Sequence, residues 1–161
     1  MSFRIRQAAP HDLAALLQLD RAIGEAAHWS EAEYRRMIEG TAPAAAGVGS
    51  LILVALGEAP AGAPPVVGMV AVKAVAGEWE VENVAVLPSV RRRGAGRLLL
   101  GEVIRRAAAQ EVSAIFLEVR ESNVPARKLY EGLGFRVAGR RINYYQHPPE
   151  DAVLYDFRLT R

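Results

Sequence analysis

The stretch VRRRGAGRLLL, residues 90–100, places three arginines beside two glycines, directly ahead of an apolar segment. Glycines let backbone N–H groups converge on a ligand, and a helix that begins at about Ala95 would add the positive end of its dipole. The arginines raise the local positive potential further. The pattern therefore predicts a binding loop for an anion, most naturally a pyrophosphate. A tight turn with solvated arginines is the simpler alternative.

The segments on either side of this loop are typical of a β-strand and an α-helix. The run EWEVENVAVLP, residues 78–88, alternates in polarity and stops at a proline, and the helical pattern continues to about residue 110. SAIFLEV, residues 113–119, predicts the next strand. Because a helix joins the two strands, they should be parallel, and ligands bind such units at the carboxyl ends of the strands. The loop lies at that end.

Hydrophobic periodicity and turn residues predict the order β-α-α-β-β-β-α-β-α-β-β for the whole chain. Residues 51–56 and 65–75 should form a hairpin. Ser30 is the expected N-cap of the second helix, and Asn123 that of the last helix. A length of 161 residues without an internal repeat is typical of a single domain spanning residues 1–161.

Composition excludes several kinds of protein. The chain has no cysteine, so it has neither a disulfide framework nor a thiolate zinc site nor a cysteine nucleophile. His28 and His147 lack ligand-like spacing, and we expect no metal. The net charge of +2 gives no reason to expect direct nucleic-acid binding. No signal peptide and no apolar run near the roughly 20 residues of a membrane span is found, which predicts a soluble cytoplasmic protein.

Two other nucleotide-binding loops fit the sequence less well. A dinucleotide fold needs G-x-G-x-x-G directly after a strand and an acidic residue about 20 positions later. Glu118 could supply the acid, but Leu99 stands where the third glycine should be, and residues 88–93 separate strand and glycines. A Walker-type loop needs a Gly-Lys-Ser/Thr that is absent from this region. A dinucleotide site remains a weaker alternative.

The segment VENVAVLPSVRRRGAGRLL, residues 81–99, resembles the acyl-CoA signature of the GNAT acetyltransferase superfamily, a strand followed by R/Q-x-x-G-x-G/A and a helix. Arg91, Gly94 and Gly96 occupy its fixed positions. More narrowly, four segments resemble the ribosomal-protein-alanine N-acetyltransferase family (RimI type): WSE (29–31), LEVRESN (117–123), LYEGLGF (129–135) and RINYY (141–145). The resemblance is good in the second half of the chain, loose in the first helices and slight over residues 41–65.

The resemblance implies the GNAT fold, an α/β (α+β) architecture with a mixed, mostly antiparallel central sheet flanked by helices. It implies transfer of acetyl from acetyl-CoA to an amine, most naturally the N-terminal α-amino group of a ribosomal protein. The residues that would contact acetyl-CoA are Val84, Ala85 and Val86 on the strand, Arg92, Arg93, Gly94, Ala95, Gly96 and Arg97 around the loop, and Asn123 at the head of the next helix. Asn123 also fits a plain N-cap.

Glu118 is the predicted general base: the residues around it are apolar, buried glutamates are rare without a reason, and the family resemblance supplies most of the preference for catalysis. The alternative is a salt bridge to Arg120 or Arg127. Glu80 and Glu82, on the preceding strand, are reserve candidates, and strand alternation places these two on one face. An α-amino group titrates near 8 and lysine near 10.4, so an N-terminal acceptor costs about 3 kcal/mol less to deprotonate.

Tyr130 matches the tyrosine that, in the superfamily, protonates the departing thiolate. It follows Asn123 by two helical turns, so both side chains can face one side. A tyrosine that only fills the core is the alternative. Backbone N–H groups near the end of the preceding strand could polarise the thioester carbonyl, which would require a bulge or a local separation of strands there.

The acceptor side is less well defined by sequence. By the resemblance, Arg141, Tyr144 and Tyr145 flank the acceptor peptide, although adjacent tyrosines on a regular strand point in opposite directions. Trp29 is either a hydrophobic staple before Ser30 or a wall of the peptide site. Departures from the narrow family near Trp29 and at residue 87 leave the acceptor open: a protein N-terminus, a lysine or a small amine. A non-catalytic acyl-CoA-binding domain is the remaining alternative.

Overall fold

The computed structural model describes residues 2–23, 28–40, 48–58, 62 and 65–159. Its strands and helices follow the predicted order. The strands are β1 (Arg4–Gln7), β2 (Gly49–Leu56), β3 (Val66–Val75), β4 (Glu78–Val86), β5 (Ala114–Arg120), β6 (Arg136–Tyr145) and β7 (Glu150–Arg158). The α-helices are α1 (Leu13–Ala22), α2 (Glu31–Glu39), α3 (Ala95–Ala109) and α4 (Val124–Leu133).

The strands form one seven-stranded sheet in the order β1-β2-β3-β4-β5-β7-β6. Every neighbouring pair is antiparallel except β4 and β5, which are parallel because α3 crosses over between them. Strands β2 and β3 pair as the expected hairpin. The prediction of a mixed, mostly antiparallel sheet flanked by helices is confirmed.

The parallel pairing of β4 with β5 is short. Three residue pairs join the strands, of which Glu80 with Phe116 is the last. Beyond this point β4 stays paired with β3 as far as Val86, and β5 stays paired with β7. The two strands therefore separate towards their carboxyl ends and leave an opening within the sheet.

A β-bulge lies in β4 next to this opening. Val72 and Ala71 of β3 are consecutive, but their partners in β4 are Val81 and Asn83, so Glu82 is an extra residue. A bulge bends its strand and increases the local twist, which favours the separation of β4 from β5. Of the two features expected near the end of this strand, the separation from β5 is present there, and the bulge lies in the middle of the strand at Glu82.

Helices pack on both faces of the sheet over separate apolar clusters. The cluster under α3 and α4 includes Trp79, Leu99 and Ile115. The cluster under α1 and α2 includes Leu16 and Ile52, and it lies over β2, β3 and the end of β4. Each fully buried side chain of this kind contributes about 1.5–3 kcal/mol. The sheet is thereby fixed between two layers, with the opening between β4 and β5 near its centre.

Helix α2 begins with a complete set of capping contacts. Ser30 Oγ accepts a hydrogen bond from Glu33 N, and Glu33 Oε1 accepts one from Ser30 N, both at 3.2 Å. The rings of Trp29 and Tyr34 lie 5.4 Å apart, across the start of the helix. These are the capping box and the hydrophobic staple. Of the two interpretations of Trp29, the structure shows the staple.

Asp20, at the end of α1, fixes the position of α2. Its carboxylate is 7% exposed and accepts hydrogen bonds from Tyr34 Oη at 2.5 Å and Trp29 N at 3.1 Å, and it lies 2.8 Å from His28 Nδ1. Burial alone would raise the pKa of Asp20, but these hydrogen bonds outweigh it and hold the pKa below its usual value. The folded protein therefore stabilises the ionised form of the Asp20 carboxylate.

Substituting Asp20 tests this contribution. We expect Asp20→Asn to lower the free energy of unfolding by about 1–3 kcal/mol at pH 7, because buried donors lose a charged acceptor. A carboxylate whose pKa is lower in the folded than in the unfolded state stabilises the folded protein at pH values above its pKa in the unfolded state, about 3.9. This stabilisation is lost as the pH falls through the pKa of the folded state. Urea unfolding should therefore show the difference between variant and wild type shrinking on acidification.

The matched control is Glu39→Gln, which changes an exposed carboxylate on α2. We expect it to alter the unfolding free energy by less than about 0.5 kcal/mol. A deficit in Asp20→Asn that stayed constant down to the lowest pH of cooperative unfolding would contradict the assignment.

Candidate active site

A cavity of about 440 Å³ lies where β4, the start of α3 and α4 meet. Its wall contains Tyr130 and every residue that the sequence predicted to contact acetyl-CoA except Arg93. The lining residues are Ile23, Val84, Ala85, Val86, Val90, Arg91, Arg92, Gly94, Ala95, Gly96, Arg97, Asn123, Pro125, Ala126, Leu129 and Tyr130. The structure therefore brings together residues that are far apart in the sequence.

The arginine–glycine loop places the amino end of α3 at this cavity. Gly94 precedes the helix with φ +95°, in the left-handed region that favours glycine, and Arg92 has φ +64°. The first N–H groups of a helix, here those of Ala95, Gly96 and Arg97, have no partner inside it. With three arginines, Arg91, Arg92 and Arg97, in the same wall, the site has the charge and the donors for a phosphate group.

Gly96 allows α3 and α4 to approach closely beside the cavity. A Cβ atom at this position would lie 3.2 Å from Leu129 Cδ2 of α4. A larger side chain would therefore push the helices apart or fill the space between them. The glycine serves helix packing as well as access to backbone N–H groups.

Two arginines of the loop differ from the pattern that the sequence suggested. Arg91 Nε donates to the carbonyl oxygen of Val86 at 3.1 Å, which ties the loop to the end of β4. Arg93 is exposed and is not part of the cavity wall, since the backbone turns at Arg92 and Gly94 on either side of it. A role for Arg93 in binding stays a prediction.

Asn123 caps α4 and lines the cavity. Its Oδ1 accepts a hydrogen bond from Ala126 N at 3.3 Å. Capping uses the amide oxygen, and the amide nitrogen of the same side chain can donate to a ligand. The N-cap interpretation is confirmed and leaves the binding interpretation in place.

Tyr130 lines the cavity from α4 and is 7% exposed. Its ring lies 5.9 Å from that of Tyr155 and 6.1 Å from that of Phe135, so it also fills the core. Burial raises the pKa of Tyr130 well above its usual value, and Tyr145 and Tyr155 add to this effect. Like any tyrosine, Tyr130 is protonated at neutral pH, and the raised pKa makes it a weaker acid than a free tyrosine.

Glu118 lies on the opposite face of the sheet, beside the opening. It is on β5, two residues beyond the last pair with β4, and its side chain is 24% exposed, so it is half-buried rather than largely buried as expected. It is not part of the cavity wall. Strand alternation gives the reason: Leu117 and Val119 face α3 and α4, so Glu118 faces the other way.

The salt bridge of Glu118 involves an arginine that the sequence did not indicate. Arg141 Nε donates to Glu118 Oε1 at 2.9 Å. Arg120 instead pairs with Glu150 at 3.3 Å, and Arg127 Nε donates to Tyr155 Oη at 3.0 Å. The expectation of Arg120 or Arg127 as the partner was wrong because it considered arginines close in sequence, whereas β6 lies one strand away across β7.

Glu80 and Glu82 lie on the same face as Glu118. Both are on β4, and the alternation of Trp79 and Val81 into the α3–α4 cluster places them on the opposite side. Partial burial raises the pKa of Glu82, the charges of Glu80 and Glu118 raise it further, and Lys73 opposes them. Three carboxylates are thus close together beside the opening.

Tyr144 and Tyr145 correct the expectation that adjacent tyrosines diverge. Their rings meet edge to face with centroids 5.1 Å apart. Asn143 has φ +52° and the register of β6 on β7 is irregular between Arg141 and Tyr145, so regular alternation fails here. The sequence analysis assumed a regular strand, and the RINYY segment itself gave no signal of this break.

Both tyrosines belong to the surroundings of Glu118. The charge of Glu118 raises the pKa of Tyr144, with further contributions from burial and from a hydrogen bond between the two side chains. Burial raises the pKa of Tyr145, and the charge of Glu118 adds to it. Tyr145 also raises the pKa of Tyr130, so it interacts electrostatically with Glu118 on one side of the opening and with Tyr130 on the other.

The described residues contain no group of three or more His, Asp or Glu side chains that could hold a metal ion. Within the same residues, no helix has the length and apolar character needed to cross a bilayer. The groups that the structure places around the opening are the arginine–glycine loop, the Tyr130 hydroxyl and the carboxylates of Glu80, Glu82 and Glu118.

The comparisons with known proteins agree with this arrangement. Residues 13–135 match the acetyltransferase (GNAT) family. The chain is 41% identical over 92 residues to the ribosomal protein bS18-alanine N-acetyltransferase of Haemophilus influenzae, which covers 55% of this chain and 62% of that relative. The alignment therefore spans less than two thirds of the length of this curated relative.

Solved structures extend the similarity to the full chain. The ribosomal-protein-S18-alanine N-acetyltransferase from Escherichia coli superposes with a TM-score of 0.80 at 27% identity, covering 99% of this chain and 96% of that chain. Arabidopsis thaliana NAA60 in complex with acetyl-CoA superposes with a TM-score of 0.83 at 20% identity, covering 98% and 99%, and shares the fold. The chain belongs to the GNAT family of acetyltransferases, the family that its arginine–glycine loop predicted.

Proposed function

We propose that this protein transfers the acetyl group of acetyl-CoA to the N-terminal α-amino group of a protein, such as a ribosomal protein. The observation that carries the proposal is the opening between β4 and β5, which has the cavity lined by the arginine–glycine loop on one face and Glu118 on the other. The Haemophilus influenzae relative is named for acetylation of an N-terminal alanine of bS18, which supports this acceptor. Residues 1–161 would form one acetyltransferase domain that acts in the cytoplasm.

The residues of the cavity fit acetyl-CoA. Arg92, Arg97 and the first N–H groups of α3 would hold the pyrophosphate. Beyond Glu80, no strand in the described part of the chain pairs with the edge of β4 that faces β5, so the backbone at Val84–Val86 can hydrogen-bond the amide groups of the pantetheine arm. Acetyl-CoA would supply an acetyl group activated as a thioester. The anionic end would be held on α3 and the acetyl group near the opening.

Two side chains of this chain would move the protons. Glu118 would accept the proton of the acceptor ammonium, directly or through a water molecule, so that a neutral amine can attack the thioester carbonyl. Tyr130, on the other face, would donate its proton to the sulfur that leaves. The two side chains need not touch, because each serves a different atom of the reaction.

Acceptor choice is tested with peptides and acetyl-CoA under mass spectrometry. One peptide begins with a free alanine and contains no lysine, and the other has a blocked N-terminus and one lysine. We expect acetyl on the first peptide at a rate at least about tenfold higher, because an α-amino group is deprotonated at lower cost than a lysine amine. If only the lysine peptide or only small amines gained an acetyl group, the proposal of an N-terminal acceptor would be wrong.

Binding of the donor is tested at Gly96. We expect Gly96→Val to weaken CoA binding by about tenfold or more, because a side chain there meets Leu129 and displaces the wall of the cavity. Isothermal titration calorimetry with CoA gives the dissociation constant. Gly101→Val is the control: it makes the same change on the same helix, where an added Cβ meets no atom within 4 Å. Equal weakening by both variants would show that the cavity wall is not responsible.

The proton-transfer roles are tested by two conservative substitutions. Glu118→Gln and Tyr130→Phe should each lower kcat by about 10²-fold, the lower range for loss of a general base or acid, while the Kd for CoA changes less than about twofold. Steady-state kinetics and calorimetry measure the two quantities. Glu80→Gln and Glu82→Gln are the comparison variants on the same face. A larger loss in either of them than in Glu118→Gln would transfer the role of base to β4.

A further inference from the structure

We propose that Arg141 is a positioning residue for this reaction, which holds the Glu118 carboxylate in one place beside the opening between β4 and β5. The inference rests on the proposed function, since it concerns the residue that would accept the proton of the acceptor. Arg141 would not contact the substrate itself. It would act through Glu118.

The contact that carries the inference crosses a strand. In the sheet register Arg141 lies opposite Ala152 of β7, and Glu118 lies opposite Leu154 of the same strand. Neighbouring strands are about 4.8 Å apart, so the arginine must extend over β7 to place Nε 2.9 Å from Glu118 Oε1. By this register the path is diagonal and passes between Ala152, which has only a methyl side chain, and Leu154. Only a long side chain on β6 can span β7 and reach Glu118.

The charges around Glu118 explain why it needs a cation. Glu80 and Glu82 of β4 lie on the same face, and their electrostatic interactions with Glu118 and its neighbours show that the three carboxylates repel one another. Arg120, on the same strand as Glu118, pairs with Glu150 and stacks over the ring of Tyr145 at 4.2 Å. Arg141 is the cation whose salt bridge is made to Glu118 itself.

Arg141 also limits the directions that Glu118 can take. Its guanidinium lies 5.6 Å from the centroid of the Tyr144 ring, so Arg141, Tyr144 and Glu118 form one cluster at the end of β6. Side chains that contact on two sides lose rotamer freedom. Without Arg141, Glu118 would keep Tyr144 as a neighbour but would lose the contact that fixes its carboxylate on the β7 side of its strand. A base displaced by about 1 Å can cost 10²-fold in rate.

The salt bridge is not required by the fold. The side chains of Arg141 and Glu118 are 54% and 24% exposed, and ion pairs with such exposure contribute little to stability. A variant at Arg141 should therefore fold normally. This separates a positioning role from a structural one.

The test is a double-mutant cycle in acetyl transfer from acetyl-CoA to an alanine-first peptide. We expect Arg141→Ala to lower kcat by about tenfold, with the KM for acetyl-CoA within twofold of wild type and the thermal midpoint unchanged. Arg141→Lys should restore part of the rate, because it returns the charge without the forked donors. In the Glu118→Gln background, Arg141→Ala should lower kcat by less than about twofold, because the residue through which it acts is gone.

Arg140→Ala is the matched control. Arg140 is the adjacent arginine of β6, and it forms a salt bridge with Glu121 outside the opening. We expect its kcat to stay within about twofold of wild type. An equal loss in Arg140→Ala would attribute the effect to the hairpin as a whole and overturn the inference.

Other outcomes separate the inference from the proposed function. If the wild type is active and Arg141→Ala is fully active too, the role of Arg141 is overturned and acetyl transfer stands. The same holds if the losses of the two single variants multiply in the double variant. A fully active Glu118→Gln would do the same, since the residue held would not be the base. Failure of the wild type to acetylate any amine would overturn the proposed function and the inference with it.

Discussion

The separation of β4 from β5 after three residue pairs is the constraint on which the rest of the site depends. Each strand keeps an antiparallel partner on its outer side, β3 for one and β7 for the other, so neither can move to close the opening. The backbone of β4 beyond Glu80 is thereby available on one edge. A continuous sheet would bury that edge in strand pairing and would separate the cavity from the carboxylates on the other face.

The opening also divides the charges of the site. The arginine–glycine loop and the amino end of α3 lie on one face, and the carboxylates of Glu80, Glu82 and Glu118 lie on the other, where Arg141 pairs with Glu118. Under the proposed function, the phosphates of the donor would bind on the first face and the acceptor amine would approach from the second. The two would meet where the strands have separated.

The sequence predicted those parts of the structure that depend on local pattern. The element order, the hairpin, the Ser30 cap and the loop at Gly94 follow from periodicity, side-chain capping and glycine geometry. The pairing of Arg141 with Glu118 could not be predicted, because it depends on strand order and on the register across β7. The carboxylate of Asp20 was missed for a similar reason. Its partners come from a different helix and from the residues preceding it.

The bulge at Glu82 changes which face each later residue of β4 occupies. Before it, Trp79 and Val81 pack under α3 and α4; after it, Val84 and Val86 pack on that side and Ala85 on the other. The side chains that face α3 and α4 are thus at odd-numbered positions before the bulge and at even-numbered positions after it. Removal of one residue from this segment would turn the side chains of Val84, Ala85 and Val86 to the opposite faces of the sheet. We conclude that the faces presented by β4 at Val84–Val86 depend on the number of residues in the strand as well as on their identity.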